Sequence, residues 1–277
     1  MDIIDALILG IVQGLAEYLP ISSSGHLEIF SDILGLNLSG QQSLRFDLML
    51  HVATVLSTIV VLWKEFAPLC TSFFTFRRDE NTSTVWKIIV SCIPVAIVGL
   101  CFKTQVEGFF GGQLNVVGIC LLVTALLLTL SYMLVTRPNL QGRSGRTARD
   151  ITFTDALIIG CAQAIAVLPG LSRSGTTIAT GILIGDKREK VAHFSFLMVI
   201  IPILGEALLD MKKMFGGTDA AAAGEDSIGW LAIAVGFIAS FVVGCIACKW
   251  MLNIVKKGKL WWFAVYCAAV GILCLVW

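Results

Sequence analysis

A carboxylate, three hydroxyls and an imidazole fall within one short stretch, Gln13-Gly14-Leu15-Ala16-Glu17-Tyr18-Leu19-Pro20-Ile21-Ser22-Ser23-Ser24-Gly25-His26. An imidazole titrates near neutral pH and can act as general acid or base. A serine hydroxyl beside such a base can act as a nucleophile. Ser23 lies three residues before His26, so both fit one face of a first helical turn, although spacing does not exclude Ser22 or Ser24. Glu17 can bind a hard divalent cation that bridges phosphate oxygens, or it can orient a histidine. Gln13, four residues before Glu17, shares its helix face.

The opposite charge comes from a second stretch, Pro169-Gly170-Leu171-Ser172-Arg173-Ser174-Gly175-Thr176-Thr177. Its serines can cap a helix whose free N–H groups and positive dipole end favour an anion. Arg173 adds a planar fork able to hold two phosphate oxygens. Ser22-Ser23-Ser24-Gly25 opens a helix in the same way, with His26 in its first turn. Two helix N-termini facing each other with an arginine between them suit a phosphate or diphosphate. A purely structural reading makes the Ser-Gly pairs caps and Glu17–Arg173 an ion pair. It leaves unexplained why His26 and the additional hydroxyls gather at the same two breaks.

The two stretches are copies. Displacing the chain by 150 residues lays Asp5-Ala6-Leu7-Ile8 on Asp155-Ala156-Leu157-Ile158, and Gly10, Gln13 and Ala16 on Gly160, Gln163 and Ala166. Ser22, Ser24 and Gly25 then fall on Ser172, Ser174 and Gly175, while Glu17 faces Val167 and Ser23 faces Arg173. One element has been duplicated and its copies have taken different charges, as two halves of one site would.

What must position these residues is a membrane-embedded scaffold. Of 277 residues 57% are apolar and only 14% charged, against about a quarter charged in soluble domains. The net charge of +1 says nothing about partners, and no basic run suggests nucleic acid. The acidic start Met1-Asp2-Ile3-Ile4-Asp5 lacks the basic region of a cleaved signal peptide. Apolar stretches long enough to span a bilayer are expected at 46–63, 86–102, 114–135, 191–210, 228–250 and 260–277. The motif-bearing segments 3–36 and 154–185 instead read as re-entrant helical hairpins, broken at Pro20 and at Pro169-Gly170.

The expected fold is therefore an all-α polytopic membrane protein with six transmembrane helices and two re-entrant hairpins. Repeat one covers 1–136, a linker 137–153, and repeat two 154–277, with no separate soluble domain. Three spans per repeat make the second copy inverted relative to the first, an arrangement that places broken helices near the midplane. The segments 64–87, 137–149, 187–190 and 249–259 are basic, whereas 103–113 and 211–227 are weakly charged or acidic. The positive-inside rule puts the basic set in the cytoplasm, with both termini and the mouth of the site outside. The alanine- and glycine-rich 216–224 reads as an external loop.

The nine cysteines, including the Cys245/Cys248 pair, read as packing thiols, because no second pair or histidine accompanies them. Among other polar residues in apolar stretches, Asp47 reads as lining the same cavity, and His51, His193 and Glu206 as satisfied interior groups. Glycine-bearing faces at Gly236 and Gly244 would allow close packing within the chain or in a homodimer.

The two motifs, together with Arg45-Phe46-Asp47 and His193-Phe194-Ser195-Phe196, resemble the bacterial undecaprenyl-diphosphate phosphatases of the bacitracin-resistance type, and the similarity runs over essentially the whole chain. The resemblance implies a multi-pass enzyme of the bacterial plasma (inner) membrane that removes the terminal phosphate of a C55 polyprenyl diphosphate and so recycles the lipid carrier of cell-wall synthesis. By motif match Glu17, Ser23, His26 and Arg173 take the catalytic places. Ser172, Ser174 and Thr177 surround the phosphate, with Gln13, Ser22 and Ser24 as further substrate-binding positions. It also implies a divalent cation, magnesium or calcium, with Glu17 as the ligand. The family often carries Glu where this chain has Gln13, which weakens Gln13 as a metal ligand. In the expected chemistry Ser23 attacks or positions water, and His26, oriented by Glu17, moves the proton. An inverted-repeat transporter or flippase of a phosphorylated lipid or anion is the alternative class, because broken helices in inverted repeats are its hallmark.

Overall fold

The computed structural model describes residues 1–36, 40–102, 114–136, 149–215 and 228–276, and within them the protein is helical, without a named strand. The expected loop 103–113, most of the linker 137–153 and the alanine-rich 216–224 lie outside the described residues. In chain order the helices are α1 (Ile3–Ala16), α2 (Ser23–Ile33), α3 (Gly40–Val61), α4 (Trp63–Phe74), α5 (Glu80–Cys101) and α6 (Leu114–Thr136). They continue as α7 (Phe153–Ile165), α8 (Arg173–Leu183), α9 (Arg188–Met198), α10 (Ile200–Phe215), α11 (Trp230–Lys256) and α12 (Trp261–Val276).

The duplicated segments start and stop alike. The Asp5 carboxylate accepts from the Asp2 N–H at 3.0 Å, and the Asp155 carboxylate accepts from the Thr152 N–H at 2.9 Å. These are acids closing first-turn donors that the helix itself cannot satisfy. α1 then ends before Pro20 and α7 before Pro169, and each chain restarts as a short helix capped by a serine. Ser22 Oγ accepts from the Gly25 N–H at 3.3 Å, and Ser172 Oγ accepts from the Gly175 N–H at 3.1 Å.

Four helical stretches are long and apolar enough to cross a membrane: Glu80–Cys101, Leu114–Leu134, Arg188–Leu209 (through the α9–α10 break) and Trp230–Lys256. A fifth arises if Arg45–Val61 and Trp63–Phe74, bent by 90° at Leu62, count as one. The sixth expected span, 260–277, is the 16-residue α12, shorter than the roughly 20 residues a perpendicular crossing needs. By these criteria the protein is a multi-pass membrane protein, with four to five stretches of full spanning length among the described residues.

Its exterior and interior invert the soluble pattern. Ile97, Leu100, Leu126, Ile238, Ile246 and Leu273 point outward, whereas Gln13, Ser57, Thr124, Gln163 and Ser240 are buried. Between helices in lipid, close backbone approach does the work that water exclusion does elsewhere. A β-carbon on Gly10 would lie 2.4 Å from the Gly236 carbonyl oxygen, where α1 packs against α11. One on Gly160 would lie 2.3 Å from the Ser91 carbonyl oxygen, where α7 packs against α5. Gly236 meets the Phe46 ring and Gly244 meets Ser57. The two glycines thus serve close contacts within the chain. All nine cysteines are free thiols, and two of them, Cys101 and Cys161, are exposed rather than packed inside.

Candidate active site

The tips of the two broken elements touch. A β-carbon on Gly25 would sit 3.1 Å from the Gly170 Cα, and one on Gly175 3.1 Å from the Pro20 Cβ. Ser174 Oγ donates to the Leu19 carbonyl at 3.3 Å, pinning the start of α8 to the break after α1. Gly170, at φ +88°, supplies a left-handed turn that other residues rarely adopt. Ser22 adopts φ +73° without being glycine, a backbone strain on the order of 1–3 kcal/mol that the surrounding contacts must hold.

Glu17 is the hub of the junction. Its side chain is only 6% exposed and meets the Arg173 guanidinium across the two breaks. One carboxylate oxygen accepts from Ser23 Oγ at 2.9 Å and from Gln13 Nε2 at 2.9 Å. A buried carboxylate needs this degree of pairing, because desolvation otherwise disfavours its charge. Glu17, Arg173, Ser174, Ser195, Thr54 and Thr58 line a narrow cavity whose remaining wall is apolar. Tyr18 fixes that wall: its hydroxyl lies 2.6 Å from the Thr54 carbonyl, 2.5 Å from Ser57 Oγ and 2.8 Å from Thr58 Oγ1.

Of the residues expected from the sequence, Gln13, Glu17, Ser23 and Arg173 meet directly. Ser22 and Ser172 are engaged as caps, with Ser24 and Ser174 3.4 Å from their respective hydroxyls. Thr177 is fully buried, donates to the Arg173 carbonyl at 2.8 Å and lies 2.5 Å from Ser195 Oγ. His26 departs from expectation. Its Nδ1 bonds the Ser22 carbonyl at 2.8 Å and its Nε2 the Tyr266 hydroxyl at 2.7 Å. Glu17 therefore does not orient it. A carbonyl can only accept, so Nδ1 carries the proton and Nε2 accepts from Tyr266.

The histidine that does reach Glu17 is His51, read from sequence as a satisfied interior group. Its Nδ1–H donates to the Asp47 carbonyl at 2.7 Å, and its Nε2 lies 3.6 Å from the Glu17 carboxylate. This places the ring within ion-pair distance of the carboxylate at the junction. The helical spacing of Asp47 and His51 was visible, but the meeting with a residue 34 positions earlier was not. Tyr266, at the far end of the chain, left no signal either.

Among the described residues no group of three or more His, Cys, Asp or Glu side chains could hold a metal ion. The donor set at the junction is one carboxylate already shared by Arg173, Gln13 and Ser23. That is too little for an all-protein cage. It suits only a cation whose other ligands come from phosphate oxygens and water, as magnesium often binds.

Residues 6–273 match the family described as bacitracin resistance protein BacA. A protein of Bacteroides fragilis named undecaprenyl-diphosphatase is 54% identical over 276 residues, covering 100% of this chain and 98% of that one. One of Parabacteroides distasonis with the same name is 55% identical, covering 99% and 97%. A third, of Methanobrevibacter smithii, is 37% identical, covering 99% and 96%. With the match running through both breaks and every helix that flanks them, this chain belongs to the BacA bacitracin resistance family.

Proposed function

We propose that the protein hydrolyses undecaprenyl diphosphate to undecaprenyl phosphate and inorganic phosphate, at the junction of the two broken elements. The observation that carries the mechanism is the Glu17 carboxylate holding Arg173 on one side and the Ser23 hydroxyl on the other. The terminal phosphate is a better partner for the Arg173 fork than one carboxylate, because it offers several oxygens. As the arginine turns to the phosphate, Glu17 is left with the Ser23 proton within reach. Ser23 Oγ then attacks phosphorus, the bond to the bridging oxygen breaks, and undecaprenyl phosphate leaves. Water later clears the phosphoserine. Arg173 and the N-terminus of α8 neutralise the charge that develops on the transferred group. Ser174 and Thr177 hold that first turn, and Ser172, Ser22 and Ser24 shape the two caps. His51, facing Glu17, is the nearer proton carrier, and His26 could take that role only by releasing Tyr266.

Magnesium or calcium, held by diphosphate oxygens with Glu17 as the one protein carboxylate, would supply further charge neutralisation. For the scaffold we propose two inverted repeats, 1–136 and 154–277, each a re-entrant hairpin and three membrane segments, in the bacterial plasma membrane with the site open to the outer face. The reciprocal packing of α1 on α11 and α7 on α5 supports that symmetry, and the basic loops support the sidedness. The same symmetry would suit a transporter. Phosphate release from undecaprenyl diphosphate by detergent-purified protein separates the two. Release with matching undecaprenyl phosphate is the expected result, and a protein that binds the lipid but releases no phosphate would favour transport.

A further inference from the structure

A second charged site lies away from the Glu17 junction, where α6, α11 and α12 end or begin. Tyr132, Arg188, Lys257, Lys259, Trp261 and Trp262 line an open groove there. Gly258, at φ +69°, turns the chain between α11 and α12, and the Lys259 N–H returns to the Ile254 carbonyl at 3.2 Å. This turn sets one lysine on either side of it. Nearby acids are already neutralised: Asp150 pairs with Lys187 and Lys190 at 3.0 Å each, and Glu189 with Lys256 at 3.2 Å. Among the described residues no carboxylate pairs with Arg188, Lys257 or Lys259. The segment 137–148, which follows α6, contains no Asp or Glu to supply one.

The rest of the groove matches a bilayer interface. The Trp261 and Trp262 rings lie 4.3 Å apart between centroids, tilted by 38°, Tyr132 lies 6.5 Å from Trp261, and Trp262 is 62% exposed. Tryptophan and tyrosine settle at headgroup level. The first turn of α12 adds free N–H groups and a positive dipole end beside the cations. Three cations without a carboxylate partner among the described residues, a helix start and an aromatic floor, all at the ends of membrane helices, fit a lipid phosphate whose acyl chains run down the outward apolar faces.

We propose that this groove binds the phosphate headgroup of an anionic membrane phospholipid, separately from the substrate site. The full-length chain in detergent, offered equal phosphatidylglycerol and phosphatidylcholine and examined by native mass spectrometry, provides the test. About tenfold more bound phosphatidylglycerol is expected, since each basic residue near a membrane surface contributes appreciably to anionic lipid binding. The Arg188→Gln/Lys257→Gln/Lys259→Gln variant should fall to the phosphatidylcholine level while releasing phosphate from undecaprenyl diphosphate at the unaltered rate. Lys187→Gln/Lys190→Gln, which removes cations already paired with Asp150, should bind as wild type. The single reversal Lys259→Glu should lower binding several-fold even if the triple variant is poorly produced. Equal binding of both lipids, undiminished phosphatidylglycerol binding in the triple and Lys259→Glu variants, or an equal loss in the Lys187/Lys190 control would each overturn the site. Displacement of the lipid by excess inorganic phosphate would overturn the lipid as its ligand, identifying a free-phosphate site instead. Because the readout is lipid binding, its failure leaves the phosphatase assignment standing.

Discussion

Ser23 shares one carboxylate with an arginine 150 residues away, a contact on which the proposed role of its hydroxyl rests and which neither Ser22 nor Ser24 shows among the described hydrogen bonds. Ser22 spends its hydroxyl on the Gly25 N–H and its backbone on a strained φ, so it is a structural cap. Ser23→Ala should therefore lose roughly a hundredfold or more in turnover, whereas Ser22→Ala should lose mainly the cap, about 1 kcal/mol of stability. Loss of activity does not separate a nucleophile from a phosphate ligand. A substrate with a chiral terminal thiophosphate does: double displacement through Ser23 retains configuration at phosphorus. Inversion would demote Ser23 to a binding residue and make water the attacking group. At this scale the sequence was legible where partners were close in the chain or in the repeat. Gln13, Glu17, Ser23 and Arg173 were all evident, whereas His51 and Tyr266 were not. Their meetings with Glu17 and His26 depend on how distant helices pack, which local spacing does not encode.

At the scale of elements, glycines decide how deeply the broken elements can sit. Gly10→Ala would drive a methyl group against backbone on α11, where no side chain can swing aside. We expect a loss on the order of 1–3 kcal/mol, as for other overpacked cores. Gly99→Ala, with nothing within 4 Å of the added carbon, should be neutral or slightly stabilising, since alanine suits a helix interior better. Thermal unfolding of the two variants in one detergent checks this, and equal midpoints would contradict the packing. The breaks at Pro20 and Pro169 were legible because proline removes a donor and clashes with the preceding turn. The 90° bend at Leu62 falls where the span expected at 46–63 ends, just before Lys64 and Glu65, but the helix α4 that follows it was not legible in that charged segment. The expected span at 260–277 corresponds to the 16-residue apolar helix α12, since composition reports an apolar stretch but not where its helix begins.

At the scale of the whole molecule, lipid-facing leucines and isoleucines surround a core threaded with glutamine, serine and threonine, and the charges gather at two levels: the Glu17 junction and the helix ends. The proposed sidedness rests on the loop charges. Single cysteines at Ala222 and Ser144, placed in a background without accessible native thiols, should differ on intact cells: an impermeant thiol reagent labels the Ala222 position and spares Ser144. The reverse pattern would turn the site to the cytoplasm. In the proposed mechanism, function depends on the two broken elements meeting through one arginine. The initial rate of phosphate release from undecaprenyl diphosphate, compared between purified wild-type and Arg173→Lys proteins of equal thermal stability, tests this most directly. A lysine keeps the charge but loses the planar fork, so a fall of about a hundredfold or more is expected. A rate for Arg173→Lys close to that of wild type would contradict the assignment of the phosphate to this junction.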